Sequence, residues 1–158
     1  MKIWFVVLIS FLSNALVAQS LNSERKSFIY NNTAITFSEK ILTIYDQTYI
    51  ENLRNNDPDL LLYLNYFSEN SFRIIDIDEK INDPLMKSIQ DYTKVDKSKA
   101  SPYNPKDLSS FNILAYNISL SENNQYIRTG NNSFVIEVLT KGEFLKKFNT
   151  YKEQISHQ

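Results

Sequence analysis

Residues 57–78, DPDLLLYLNYFSENSFRIIDID, are the most apolar run beyond the N-terminal segment, and they restrict what the rest of the chain must supply. Asp57 offers a carboxylate to the free N–H groups of a first helical turn, and Pro58 brings a backbone angle already suited to the first helical position. From 60 to 67 almost every side chain is apolar. Leu60, Leu64 and Phe67 share one helical face, and Leu61, Leu62 and Tyr66 widen it, so the helix must be covered on several sides. Ser68, Glu69 and Asn70 interrupt the pattern, and residues 72–77 resume it as a short buried strand. Both elements need partners from elsewhere in the chain.

Those partners are legible as patterns. Phe28 to Tyr30 suits edge structure, and Asn31 and Asn32 read as a turn. Thr36 and Glu39 have capping-box spacing, in which a hydroxyl and a carboxylate satisfy each other's free N–H groups. A helix over 38–54 follows, with Ile41, Ile44, Tyr45, Thr48 and Tyr49 on one face, and it pairs antiparallel with the helix opened by Asp57. Asp83 and Pro84 repeat the cap-plus-proline start and predict a short helix to about Tyr92 with Leu85, Met86 and Ile89 inward. Residues 93–110 turn polar around Pro102 and Pro105 and read as an exposed loop.

Beyond that loop the period changes from helical to alternating. Strands are expected at 115–120, 125–129 and 133–140, joined by short turns into a β-meander. Thr140 and Glu143 form a second capping box and open a final helix with Phe144, Leu145 and Phe148 inward, fraying from Lys152. Helices followed by strands indicate an α+β fold: an N-terminal helical pair packed on a small antiparallel meander, with a C-terminal helix. The 158 residues, 42% hydrophobic and 13% aromatic, suit one such domain over 21–158.

The first 20 residues carry a different message. Lys2, an apolar centre over 3–12 and a small-residue end over 15–20 have the layout of a secretory signal peptide, cleaved after Ala18 or Ser20. Ser10, Ser13 and Asn14 interrupt the run, whereas a spanning helix needs about 20 mainly apolar residues. Export to the periplasm or outside the cell is therefore expected, with no integral membrane span after cleavage. Cysteine is absent, so neither a disulfide framework nor a thiolate nucleophile is available. Removing Lys2 with the leader takes the formal charge from −1 to −2, which provides no attraction for nucleic acid.

Chemistry is constrained mainly by exclusion. The single histidine, His157, stands beside the C-terminus, so a Ser/His/Asp triad or a multi-histidine metal site cannot be assembled. The two glycines, Gly130 and Gly142, cannot form a phosphate-cradling loop. Among the acids, Asp76, Asp78 and Glu79 cluster where the central strand ends and are the candidates for acid–base catalysis. A calcium loop counted from Asp76 places Ile81 where glycine is required and Lys87 where the bidentate acid belongs, so no metal is assigned. Tyr45, Tyr49, Tyr63, Tyr66 and Phe67 read as core at helical spacing. Tyr103, Tyr116 and Tyr126 lie in or beside loops and are the candidates for surface binding.

No cofactor is expected. These features favour a small exported domain that works by binding, as an accessory protein of a bacterial envelope, with an envelope protein, peptide or glycan as partner. A carboxylate- and tyrosine-based hydrolase or lyase is the alternative from another class, and self-association through a strand edge is a third.

Overall fold

The computed structural model describes residues 26–76, 86–89, 92, 111–128 and 134–157. The chain divides into two compact units between Phe37 and Ser38. In the first, strands β1 (Ser27–Tyr30) and β2 (Thr33–Thr36) pair antiparallel with Phe28 opposite Ile35. Asn31 and Asn32 join them at φ of 46° and 66°. Asparagine tolerates this left-handed region, and two such residues in succession match the twist of the flanking strands. Phe28 and Phe37 stack with ring centroids 4.9 Å apart.

The second unit begins with three helices, α1 (Glu39–Ile44), α2 (Gln47–Asn56) and α3 (Pro58–Asn70). Asp57 serves two of them. Its N–H donates to the Leu53 carbonyl at 2.8 Å, ending α2, and its carboxylate accepts from the Leu60 N–H at 3.0 Å, opening α3. Leu61, Leu62 and Phe67 are buried on α3, together with Asn65 and Ser68. The two polar groups are satisfied: Asn65 Oδ1 accepts from the Ser38 N–H at 2.8 Å, and Ser68 donates to the Asn65 carbonyl at 2.8 Å.

A four-stranded sheet follows, built from β3 (Phe72–Asp76), β4 (Met86–Ser88), β5 (Gln125–Arg128) and β6 (Phe134–Val138) in the order β3-β6-β5-β4. β6 pairs antiparallel with β3 and β5, whereas β4 runs parallel to β5. The fold is thus α+β with a mixed sheet. Ile127, Val135, Ile136 and Val138 are fully buried along its two central strands. The last element, α4 (Lys141–Ser156), starts with a complete capping box: Thr140 Oγ1 accepts from the Glu143 N–H at 3.2 Å, and the Glu143 carboxylate accepts from the Thr140 N–H at 3.1 Å. Rings from α3 and α4 interlock, with Tyr63 edge-on to Phe144 and to Phe148, each at 5.4 Å, and Tyr66 stacked on Tyr151 at 4.7 Å.

Several expectations are corrected. Thr36 is not the N-cap of α1, since it stands opposite Ser27 in the β1–β2 ladder; Ser38 takes that place and accepts from the Lys40 N–H at 3.1 Å. The helix over 38–54 is two helices. Asp46 accepts from the Tyr49 N–H at 2.8 Å, a cap that starts a new helix inside the apolar pattern. Leu60 is 37% exposed and Leu64 only half-buried, so the inward face of α3 is centred on Leu61 and Leu62. β3 is not a buried strand, since Ile74 on this sheet edge is 43% exposed.

Met86 and Ser88 form a strand where a helix was expected, because β5 offers a free edge to pair with. Among the described residues of 115–140, β5 and β6 pair but 115–120 adds no third strand. Ile113–Ala115 is a 3₁₀ turn capped by Asn112, Tyr116 makes an isolated bridge, and Tyr116 and Ile118 are buried in alternation, the Ile118 N–H bonding locally to the Tyr116 carbonyl at 2.9 Å. α4 does not fray at Lys152, since Ile155 is buried and holds the helix to Ser156. The leader, the helix start at Asp83 and the loop over 93–110 lie outside the described residues.

Candidate functional site

Glu137 stands on a central strand of the sheet at 3% exposure. Antiparallel register places Arg73 of β3 opposite it on one side and Tyr126 of β5 on the other, so all three side chains emerge on one face. Arg73 donates its Nε–H to Glu137 Oε2 in an ion pair, Asn124 Nδ2 donates to Glu137 Oε1 at 2.8 Å, and the Tyr126 hydroxyl also bonds the carboxylate. Burial pushes the Glu137 carboxyl up, but the hydrogen bonds and charge from Arg73, with those from Tyr126 and Asn124, outweigh it and hold the group below the usual carboxylate range. Glu137 therefore stays ionised at neutral pH.

Its main effect is on Arg73. The Arg73 side chain is 61% exposed, yet its Nε is fixed from below by a buried anion. With Nε engaged, the planar guanidinium still carries the N–H donors of its two Nη groups in a fixed fork. Arg73 borders an open cleft of about 540 Å³ formed by α3, β3 and α4. Lys146 and Lys147 line the same cleft and are exposed; among the described residues neither has an ion-pair partner. Glu143 also lines it, but its carboxylate is occupied by the Thr140 hydroxyl and N–H, bonds that lower its pKa. Tyr66 and Tyr151 supply an aromatic wall, and burial raises both phenols, so they remain protonated donors. Thr150 and Gln154 add polar groups, and Leu139 is the aliphatic contribution among the described lining.

The candidates read from sequence fare differently. Tyr116 and Tyr126 are 8% and 9% exposed, which corrects their assignment to a binding surface. Tyr116 stacks on Phe111 at 5.7 Å, and Tyr126 is spent on Glu137. Tyr103, Asp78 and Glu79 lie outside the described residues, as does the Asp76 side chain, although the Asp76 backbone ends β3 opposite Phe134. Tyr63 and Phe67 are packed as expected of core, whereas Tyr66 is shared between core and cleft.

Sequence reasoning missed Arg73, Glu137, Lys146 and Lys147. Glu137 had a signal: it is a lone acid inside the apolar strand FVIEV, where an unpaired charge would be costly. The two lysines gave none, because adjacent cations on a helix are ordinary surface. Among the described residues no group of three or more metal-ligating acids or histidines converges, and no helix is long and apolar enough to cross a membrane. No protein-family model, curated protein or solved structure matches this chain.

Proposed function

We propose that this chain is a small exported binding protein of a bacterial envelope, without catalysis of its own, and that it binds at the α3–β3–α4 cleft. The observation that carries the reading is the Arg73 guanidinium, oriented by the buried Glu137 at the rim of an open, ring-walled cleft. Cations that are charged at every physiological pH recognise ligands but do not accept protons. The acid beside them, Glu143, is committed to capping α4. Export rests on the leader pattern over 1–20. Trp4, the only tryptophan, belongs to that leader. Material recovered from the envelope or medium should begin at Gln19 or Leu21 and lack tryptophan absorbance; an intact N-terminus there would remove the leader from this reading.

A glycan and peptide array, repeated with K146E/K147E, tests the cleft. The parent should show a saturable ligand that the double variant loses. Turnover of a substrate by a protein that binds nothing on the array would reverse the reading in favour of a hydrolase or lyase. Self-association draws support from Ile74, 43% exposed on β3, which among the described strands stands at the sheet edge, where backbone groups can recruit another strand. Sedimentation over a hundredfold concentration range decides it, a constant monomer mass counting against it.

A further inference from the structure

The cleft's chemistry narrows its ligand beyond binding as such, and the narrowing rests on the cleft being the binding site. We infer that it takes a carboxylate-bearing sugar, a short stretch of an acidic glycan. Three cations, Arg73, Lys146 and Lys147, line the cleft against one lining carboxylate, Glu143, which Thr140 holds through Oε2 and which stays charged; with Glu137 paired beneath Arg73 the balance of these groups is still positive. Glu137 holds Arg73 through Nε, and a guanidinium's Nη pair matches the two oxygens of a carboxylate, while the lysines act as point charges on either a second acid or the same one.

The remaining groups suit a sugar better than a peptide. Tyr66 and Tyr151 bring hydroxyls and Gln154 an amide, in line with a ligand rich in hydroxyls, while Thr150, whose hydroxyl donates to the Lys146 carbonyl at 3.1 Å, can add an acceptor. Tyr66 is stacked on Tyr151 at 4.7 Å and tilted against Phe144 and Phe148, which holds the wall rigid and makes the half-buried Tyr151 the ring that would meet the C–H face of a pyranose. Among the described lining residues Leu139 is the one aliphatic side chain, and it is buried. Most of the wall is α4, whose interior backbone N–H and C=O groups are consumed within the helix and cannot serve a peptide main chain. A volume of about 540 Å³ lies in the range that holds a small ligand, enough for a few sugar rings.

Titration of the mature protein with trigalacturonate, its fully methyl-esterified form and triglutamate, followed by calorimetry and amide NMR, tests the inference. Trigalacturonate should saturate and shift signals of Lys147 and Tyr151, at least tenfold more tightly than the uncharged ester. K146E/K147E, two exposed positions, should weaken it more than tenfold. Arg73→Lys keeps a cation for Glu137 but loses the fork, and should weaken binding severalfold with an unchanged circular dichroism spectrum. Equal affinity for the ester, or indifference to K146E/K147E, overturns the inference. Triglutamate shifting the cleft signals where trigalacturonate does not would overturn the sugar and leave the binding cleft standing. Silence of all three ligands overturns the inference too, and the array result then decides the cleft separately.

Discussion

Glu137 is the residue on which both stability and the cleft depend. A carboxylate at 3% exposure is tolerable only because Arg73, Asn124 and Tyr126 reach it. Arg73→Ala should therefore destabilise by about 1–3 kcal/mol in urea titration, since it leaves a buried acceptor without its charged donor. Replacing Glu137 by Gln, which needs no counter-charge, should cost less than that. The acid limb of stability follows from the depressed Glu137 pKa. The unfolded chain binds the proton first, so the contribution is present above the ordinary glutamate value of about 4.3 and is lost as pH falls through the lower folded value. Melting temperature measured from pH 6 to 3 should fall less steeply in E137Q; an identical slope would show that other acids carry the acid limb. Glu137 could be noticed in sequence as a charge in an apolar strand, but which residues neutralise it could not, because Arg73 is distant along the chain and meets it only through register.

At the scale of elements, caps were read well where a helix end is local and poorly where a strand competes. Asp57 and Thr140 act as their side chains dictate, whereas Thr36 is claimed by pairing with Ser27. Thr140→Ala removes the side-chain half of the α4 capping box, the Oγ1 that accepts from the Glu143 N–H, while the backbone half from the Thr140 N–H to the Glu143 carboxylate stays, and should cost about 0.5–2 kcal/mol in urea titration. The face expected through Leu60, Leu64 and Phe67 holds only at Phe67; burial runs through Leu61 and Leu62 at 1% and 0%, and Leu60 is left 37% exposed. Leu62→Ala should cost about 2–5 kcal/mol. Leu60→Ala should remain within about 1 kcal/mol, since an exposed side chain leaves no cavity. Comparable losses from the two would place the core on the wrong side of the helix. Met86 and Ser88 show why short segments are hardest to assign: a run this brief has no resolvable period, and the available edge of β5 decides its conformation.

For the molecule as a whole, the sheet is assembled from distant segments, β3 at 72–76 pairing with β6 at 134–138 and β4 pairing parallel to β5. Loop closure must precede these contacts, so refolding should take milliseconds to seconds in stopped-flow circular dichroism rather than the microseconds of a local helical bundle. Single-phase microsecond folding would contradict this topology. The sequence by itself determined the α+β class, the helix starts at Asp57 and Thr140, the turn at Asn31 and Asn32, and strands β5 and β6, because caps, turns and side-chain period act over a few neighbouring residues. Tertiary structure alone decided that the sheet is mixed, that Tyr116 and Tyr126 are buried, and that Arg73, Lys146 and Lys147 border one cleft. Those outcomes depend on strand register and helix packing between residues far apart in the chain, and no local pattern encodes which distant partner prevails.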